Sequence, residues 1–214
     1  MATMKNDLWG GFSGKIGNVV GVSRNGAFYL RSLPVQVKKS ESKKQIAQRN
    51  RFSVTHAFLQ TCISFIRIGF QSEARAMRSA FNAAMSYNIL HAVKVEAPDF
   101  EIDYPNVLVS KGPLPTSSIL QASISEGALH VQWDATCEGK ATEHDQVMIL
   151  ACNPEKKSAV YDLYTGKRGS LTSQLQLPSQ WQGDTVEAYI AFMSANDFTL
   201  VSDSQYAGRH RVEV

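Results

Sequence analysis

The sequence predicts an α+β protein: an N-terminal β-hairpin plus a helical pair, followed by an all-β sandwich. Three observations carry this. Residues 17–35 hold two β-rich runs around Asn25-Gly26, a dipeptide suited to the positive φ angles of a two-residue type I′ turn. From Ser42 onward apolar residues recur at spacings of three and four, the period of a helix with one buried face. Beyond a cluster of prolines come seven short segments at regular intervals, two of them alternating strictly, which is the pattern of stacked antiparallel sheets.

In the hairpin, the Asn25-Gly26 turn sets Ser23 opposite Phe28, Val22 opposite Tyr29 and Gly21 opposite Leu30. Glycine there leaves room beside a large apolar side chain. Two strands alone are marginal, so this hairpin requires cover. Ser42-Lys43-Lys44-Gln45 matches a capping box, and neither Pro nor Gly follows until Gly69. Val54, Phe58, Cys62 and Phe65 form the apolar stripe of this first helix, and Met77, Phe81, Ala84, Met85 and Asn88 lie near one face of a second, at 73–93. The break at Ile68-Gly69-Phe70 makes them an antiparallel pair.

Residues 96–116 hold Pro98, Pro105, Pro113 and Pro115, a composition for a semi-rigid connector. Three regions follow: basic hairpin plus helices at 1–95, connector at 96–116, sandwich at 117–214. Strands are expected at 119–125, 128–134, 146–152, 159–164, 174–177, 185–193 and from 198–201 onward. Trp133, Val186, Ala188, Ile190 and Phe192 should share the core, because residues two apart on a strand face the same way.

Charge divides at the same place. Residues 1–95 hold 14 Lys+Arg against 3 Asp+Glu, a net of +11, and residues 96–214 hold 8 against 16, a net of −8. Fields of opposite sign within one chain attract partners and attract each other head to tail. The opening residues carry no apolar core of signal-peptide length and no later run approaches a membrane span. The expectation is cytoplasmic synthesis without a membrane. Cys62, Cys137 and Cys152 are an odd set without C-x-x-C spacing, read as buried free thiols.

No pattern for a cofactor, a metal or a nucleophile emerges. Gly10-Gly11-Phe12-Ser13-Gly14-Lys15-Ile16 has three residues where a phosphate-binding loop needs four, lacks the hydroxyl after the lysine, and precedes strands instead of a helix. Among the five histidines only His144-Asp145 sits beside a carboxylate, and neighbours in sequence on a strand point to opposite faces. There is no His-x-His, His-Glu-x-x-His or Gly-x-Ser-x-Gly. The chain is therefore expected not to be an enzyme.

Lys38, Lys39, Lys43, Lys44, Arg49 and Arg51 lie within fourteen residues against a single acid, Glu41. Together with Phe28, Tyr29 and Leu30 of the hairpin they make the candidate interaction surface, for a protein partner or a second copy. Nucleic acid is the second candidate, since six cations could neutralise phosphates, but Phe52 and Phe58 read as core and leave no aromatic for base contact.

The run Leu129-His130-Val131-Gln132-Trp133 resembles the second strand and core tryptophan of fibronectin type III domains, and 186–194 with 201–204 resembles their last two strands. Over the whole chain, Ser13-Gly14-Lys15-Ile16-Gly17-Asn18-Val19-Val20-Gly21, Gln48-Arg49-Asn50-Arg51-Phe52, Phe81-Asn82-x-Ala84, Tyr87-Asn88, Ser110-Lys111-Gly112 and Ser202-Asp203-Ser204-x-Tyr206 resemble an uncharacterised Bacteroidetes family of unknown function. That resemblance implies no activity. The expectation is a structural or interaction subunit of a phage-like or other self-assembling particle.

Overall fold

The computed structural model describes residues 3–4, 12–24, 27–33, 42–75, 78–96, 99–135 and 137–212. The chain is α+β and divides into two compact units, Met1–Lys43 and Lys44–Val214.

In the first unit, β1 (Thr3–Met4), β2 (Phe12–Ile16), β3 (Val19–Arg24) and β4 (Ala27–Ser32) form one antiparallel sheet in sequence order. The β3–β4 register is the predicted one, with Gly21 opposite Leu30, Val22 opposite Tyr29 and Ser23 opposite Phe28. The Asn25-Gly26 turn itself lies outside the described residues. The predicted two-stranded hairpin is thus part of a larger sheet, because the glycine-rich lead-in pairs as β2: Gly14 faces Gly21 and Ile16 faces Val19. Gly17 turns β2 into β3 at φ +55°, a conformation costly for a residue with a Cβ.

The second unit contains all but the first residue of α1 (Lys43–Thr61), then α2 (Ile63–Gly69), α3 (Ala80–His91), a hairpin of β5 (Val93–Glu96) and β6 (Asp99–Ile102), and seven further strands. These are β7 (Ile119–Ser125), β8 (Ala128–Trp133), β9 (Gln146–Asn153), β10 (Ser158–Lys167), β11 (Thr172–Gln176), β12 (Thr185–Met193) and β13 (Gln205–Arg211). They build two antiparallel sheets, β11-β8-β7 and β10-β9-β12-β13. Between the sheets Leu129, Val131 and Trp133 meet Val147, Ile149, Val186, Ala188, Ile190 and Phe192, so the five predicted core residues are all buried.

The larger sheet is covered on its other face as well. Met148, Leu150, Cys152, Tyr189, Ala191 and Met193 pack with Leu59, Phe65 and Ile66 of α1 and α2 and with Ala83, Ala84 and Met85 of α3. The result is three layers: small sheet, large sheet, helices.

Several expectations are corrected by this packing. The contacts divide the chain at Lys43/Lys44, not at 96–116, because the helices share a core with the large sheet. Part of the supposed connector, residues 107–114, is a buried strap between α2 and the segment after β12. Lys111 N donates to Gly69 O at 2.8 Å, Leu114 N to Val201 O at 3.0 Å and Ser204 N to Ser110 O at 2.9 Å. Pro113 within it, like Pro105 and Pro115 on either side, fits an irregular path that asks for few N–H donors. Gly69, read as a helix break, is there for closeness: a Cβ would lie 2.5 Å from Val109 O and 2.9 Å from Ser110 Cα.

The second helix starts later than predicted, at Ala80, where Ser79 Oγ accepts from Asn82 N at 3.2 Å as N-cap. The strand expected from 198–201 is absent. Leu200 N donates to Asp197 O in a turn, and the last strand begins at Gln205. Of the three thiols, Cys62 and Cys152 are buried but Cys137 is exposed.

Candidate functional site

Phe28, Tyr29 and Leu30 lie on β4 with 53%, 39% and 70% of their surface exposed. Residues directly opposite in a sheet share a face. The register therefore puts Phe28 and Leu30 on one face with Ile16 and Val19, which are themselves 52% and 39% exposed. Tyr29 belongs to the other face, in line with Val22 and beside the row of Lys15, Val20 and Arg31. One face of this sheet is thus apolar around the glycine pair Gly14 and Gly21, and the opposite face carries cations. Ile16 joins this face because Phe12–Ile16 pairs as β2, whereas Val19 already belongs to the predicted hairpin and is exposed opposite it.

The basic stretch is not one surface. Lys38 and Lys39 lie outside the described residues. Lys43, Lys44 and Arg49 are exposed on α1 and Arg51 is half-buried. At about 100° per residue, Lys43, Lys44 and Arg51 fall in one sector and Arg49 on the opposite side. Arg51 Nη2 points to Leu90 O, 3.5 Å away in the last turn of α3, a cation placed where helix carbonyls lack partners. Phe28, Tyr29, Leu30 and Lys43 belong to the first unit, and Lys44, Arg49 and Arg51 to the second.

A second candidate place went unnoticed in the sequence. A cleft of about 750 Å³ lies between α1, the β5–β6 hairpin and the helix-facing side of the large sheet, lined among others by Phe58, Phe100, Tyr104, Cys152, Tyr206 and Arg209. Behind it Glu187 of β12, opposite Arg209 of β13, is fully buried. Arg209 Nε donates to Glu187 Oε1 at 2.7 Å and the Tyr206 hydroxyl to Oε2 at 2.6 Å. Both carboxylate oxygens are engaged, as a buried charge requires. The hydrogen bond to Glu187 holds the Arg209 guanidinium above its ordinary pKa. Burial first, then Glu187, raises that of Tyr206.

On the hairpin side, Lys94 Nζ is 3.1 Å from Asp103 Oδ1, and Asn106 foremost, with Lys94, pulls the Asp103 carboxyl below its usual value. Burial pushes the Tyr104 phenol up to about 12. Tyr189 Oη donates to Tyr104 O at 2.9 Å, fixing the hairpin's end to the sheet. Glu187 was legible as an anomaly, an acid inside the apolar run 186–193, but its partners lie 19 and 22 residues further on.

Cys152 on the cleft wall is not an activated nucleophile. Burial raises the Cys152 thiol well above its ordinary pKa, so it stays protonated and unreactive. His144 and Asp145 do not act as a pair, since Asp145 is buried against Arg168 while His144 is exposed beside Glu143. Among the described residues, no group of three His, Cys, Asp or Glu could hold a metal ion, and no helix is long and apolar enough to cross a membrane.

Two of the motifs that resembled a known family, Ser110-Lys111-Gly112 and Ser202-Asp203-Ser204, serve the strap. Ser110 Oγ donates to Ser202 O at 2.7 Å, Ser204 Oγ accepts from Val109 N at 2.9 Å, and Asp203 Oδ1 accepts from Gly112 N at 3.0 Å. A family model described as a family of unknown function, DUF6266, matches residues 11–208, and the chain belongs to that family. No curated protein matches the chain.

Proposed function

We propose that this family member is a non-enzymatic interaction subunit that assembles through the apolar face of its N-terminal sheet, as a component of a phage-like or other self-assembling particle. The observation that supports it is the exposure of Ile16, Val19, Phe28 and Leu30 on one face of a thin sheet. A sheet that exposes its large side chains needs a partner to bury them. Cations on the opposite face and the −8 balance of residues 96–214 supply long-range attraction between copies. The Lys44–Val214 layers serve as a rigid support. Their three-plus-four strand division, with Trp133 buried on the second strand, supports a fibronectin type III likeness. Nucleic acid is the weaker reading, because Arg49 faces away from Lys43 and Lys44 and Arg51 is directed at α3.

Light scattering of the full chain at low and high salt tests this. The wild type should be larger than a monomer, and Phe28→Ser with Leu30→Lys should reduce it to monomer without changing its circular dichroism. A wild type that stays monomeric at high concentration and low salt overturns the reading.

A further inference from the structure

We propose that the cleft over the large sheet binds a small monocarboxylate with an apolar or aromatic body, a role separate from assembly. The argument begins with Arg209. Its Nε is fixed on Glu187 at 2.7 Å, and Tyr206 holds the other Glu187 oxygen at 2.6 Å, so the carboxylate cannot swing away. That leaves the two terminal nitrogens as a planar fork, and among the described residues only Nε is paired. The side chain is 65% exposed and lines the cleft. A guanidinium held by Nε with its fork open matches the two oxygens of a carboxylate, and because it is already ordered little entropy is lost on binding.

The surroundings narrow the class. Phe58, Phe100 and Tyr104 line the cleft and suit an apolar body. Its volume of about 750 Å³ lies in the usual range for small-molecule sites. On the same rim Asp103 is paired with Lys94 at 3.1 Å and Glu101 is offset by Lys157, so the Arg209 fork is the cationic group offered to a ligand, a match for one carboxylate and not for the two charges of a phosphate ester.

Calorimetric titration of the full chain with 3-phenylpropanoate, its neutral amide and phenyl phosphate tests the assignment. The carboxylate should saturate the protein, and the amide and the phosphate should each bind at least about tenfold more weakly, the effect of one charge-assisted hydrogen-bond pair. Arg209→Lys keeps a cation for Glu187 but removes the fork, and should lose about tenfold with its thermal midpoint followed in parallel. Ala57→Trp, which fills the cleft from the exposed side of α1 without touching Glu187, should abolish binding even if the lysine variant fails to fold. The proposal is overturned if the carboxylate does not saturate by about 10 mM, if the amide or the phosphate binds equally well, or if Ala57→Trp binds like the wild type.

Discussion

Asn88 holds Leu108 as one strand holds another: its side-chain amide donates to Leu108 O at 2.8 Å and accepts from Leu108 N at 3.0 Å. The second amide hydrogen goes back to Ala84 O at 3.0 Å. A fully buried side chain of α3 thus uses all three contacts to fix the strap that runs between helices and sheet.

Asn88→Leu should therefore cost about 2–4 kcal/mol, since it strands a backbone donor and acceptor in a part-buried place while keeping the branched shape of the side chain. Urea unfolding of the full chain measures it. A loss under about 1 kcal/mol would show that the strap is held by its serines and packing alone.

Arg168 is a buried cation whose removal and neutralisation should differ. Its Nη1 donates to Ser117 Oγ at 2.9 Å and Nη2 to Pro115 O at 2.7 Å, while its guanidinium carbon sits 4.0 Å from the centre of the Phe192 ring. Asp145 Oδ2 lies 3.3 Å from Nε. Asp145→Asn leaves that charge uncompensated and should cost about 3–5 kcal/mol, whereas Asp145→Asn with Arg168→Met should recover much of the loss. A double-mutant cycle with no coupling would mean that Asp145 acts through its bonds to Thr142 instead.

Residues 117–214 should not fold as an isolated soluble unit. Cutting there strips the helices and exposes Met148, Leu150, Tyr189 and Met193 on one face, a patch that drives aggregation. Residues 44–214 should unfold in one cooperative transition. A monodisperse 117–214 fragment with native near-ultraviolet circular dichroism would show that the helical layer is dispensable.

Stability should fall on the alkaline side. Burial raises Cys62 from 9.0 to about 12 and Tyr104 from 10.0 to about 12, and it raises Cys152 and Tyr189 as well. These groups keep their protons in the fold and lose them earlier in the unfolded chain. Their contribution is complete below about pH 9 and disappears as pH rises through about 12. Urea midpoints from pH 8 to 11 should decline, and Cys62→Ala should flatten part of that slope. In native protein only Cys137 should react quickly with a thiol reagent, with all three reacting after denaturation.

What the sequence determined by itself was local and periodic. Turn chemistry at Asn25-Gly26 set the β3–β4 register, helical spacing located α1, and alternation in 128–134 and 185–193 placed Trp133 and four residues of β12 between the sheets. The unbroken apolar run Val147-Met148-Ile149-Leu150-Ala151-Cys152 also marks a strand buried on both faces. Only the tertiary structure decided the rest. It turned residues 107–114 from a connector into a strap, made Gly69 a contact point, joined Ile16 and Val19 to Phe28 and Leu30, and brought Glu187 to Tyr206 and Arg209. Each of these depends on which surface a residue meets across a long loop. A period of two or 3.6 says which way a side chain points, but not what stands opposite it.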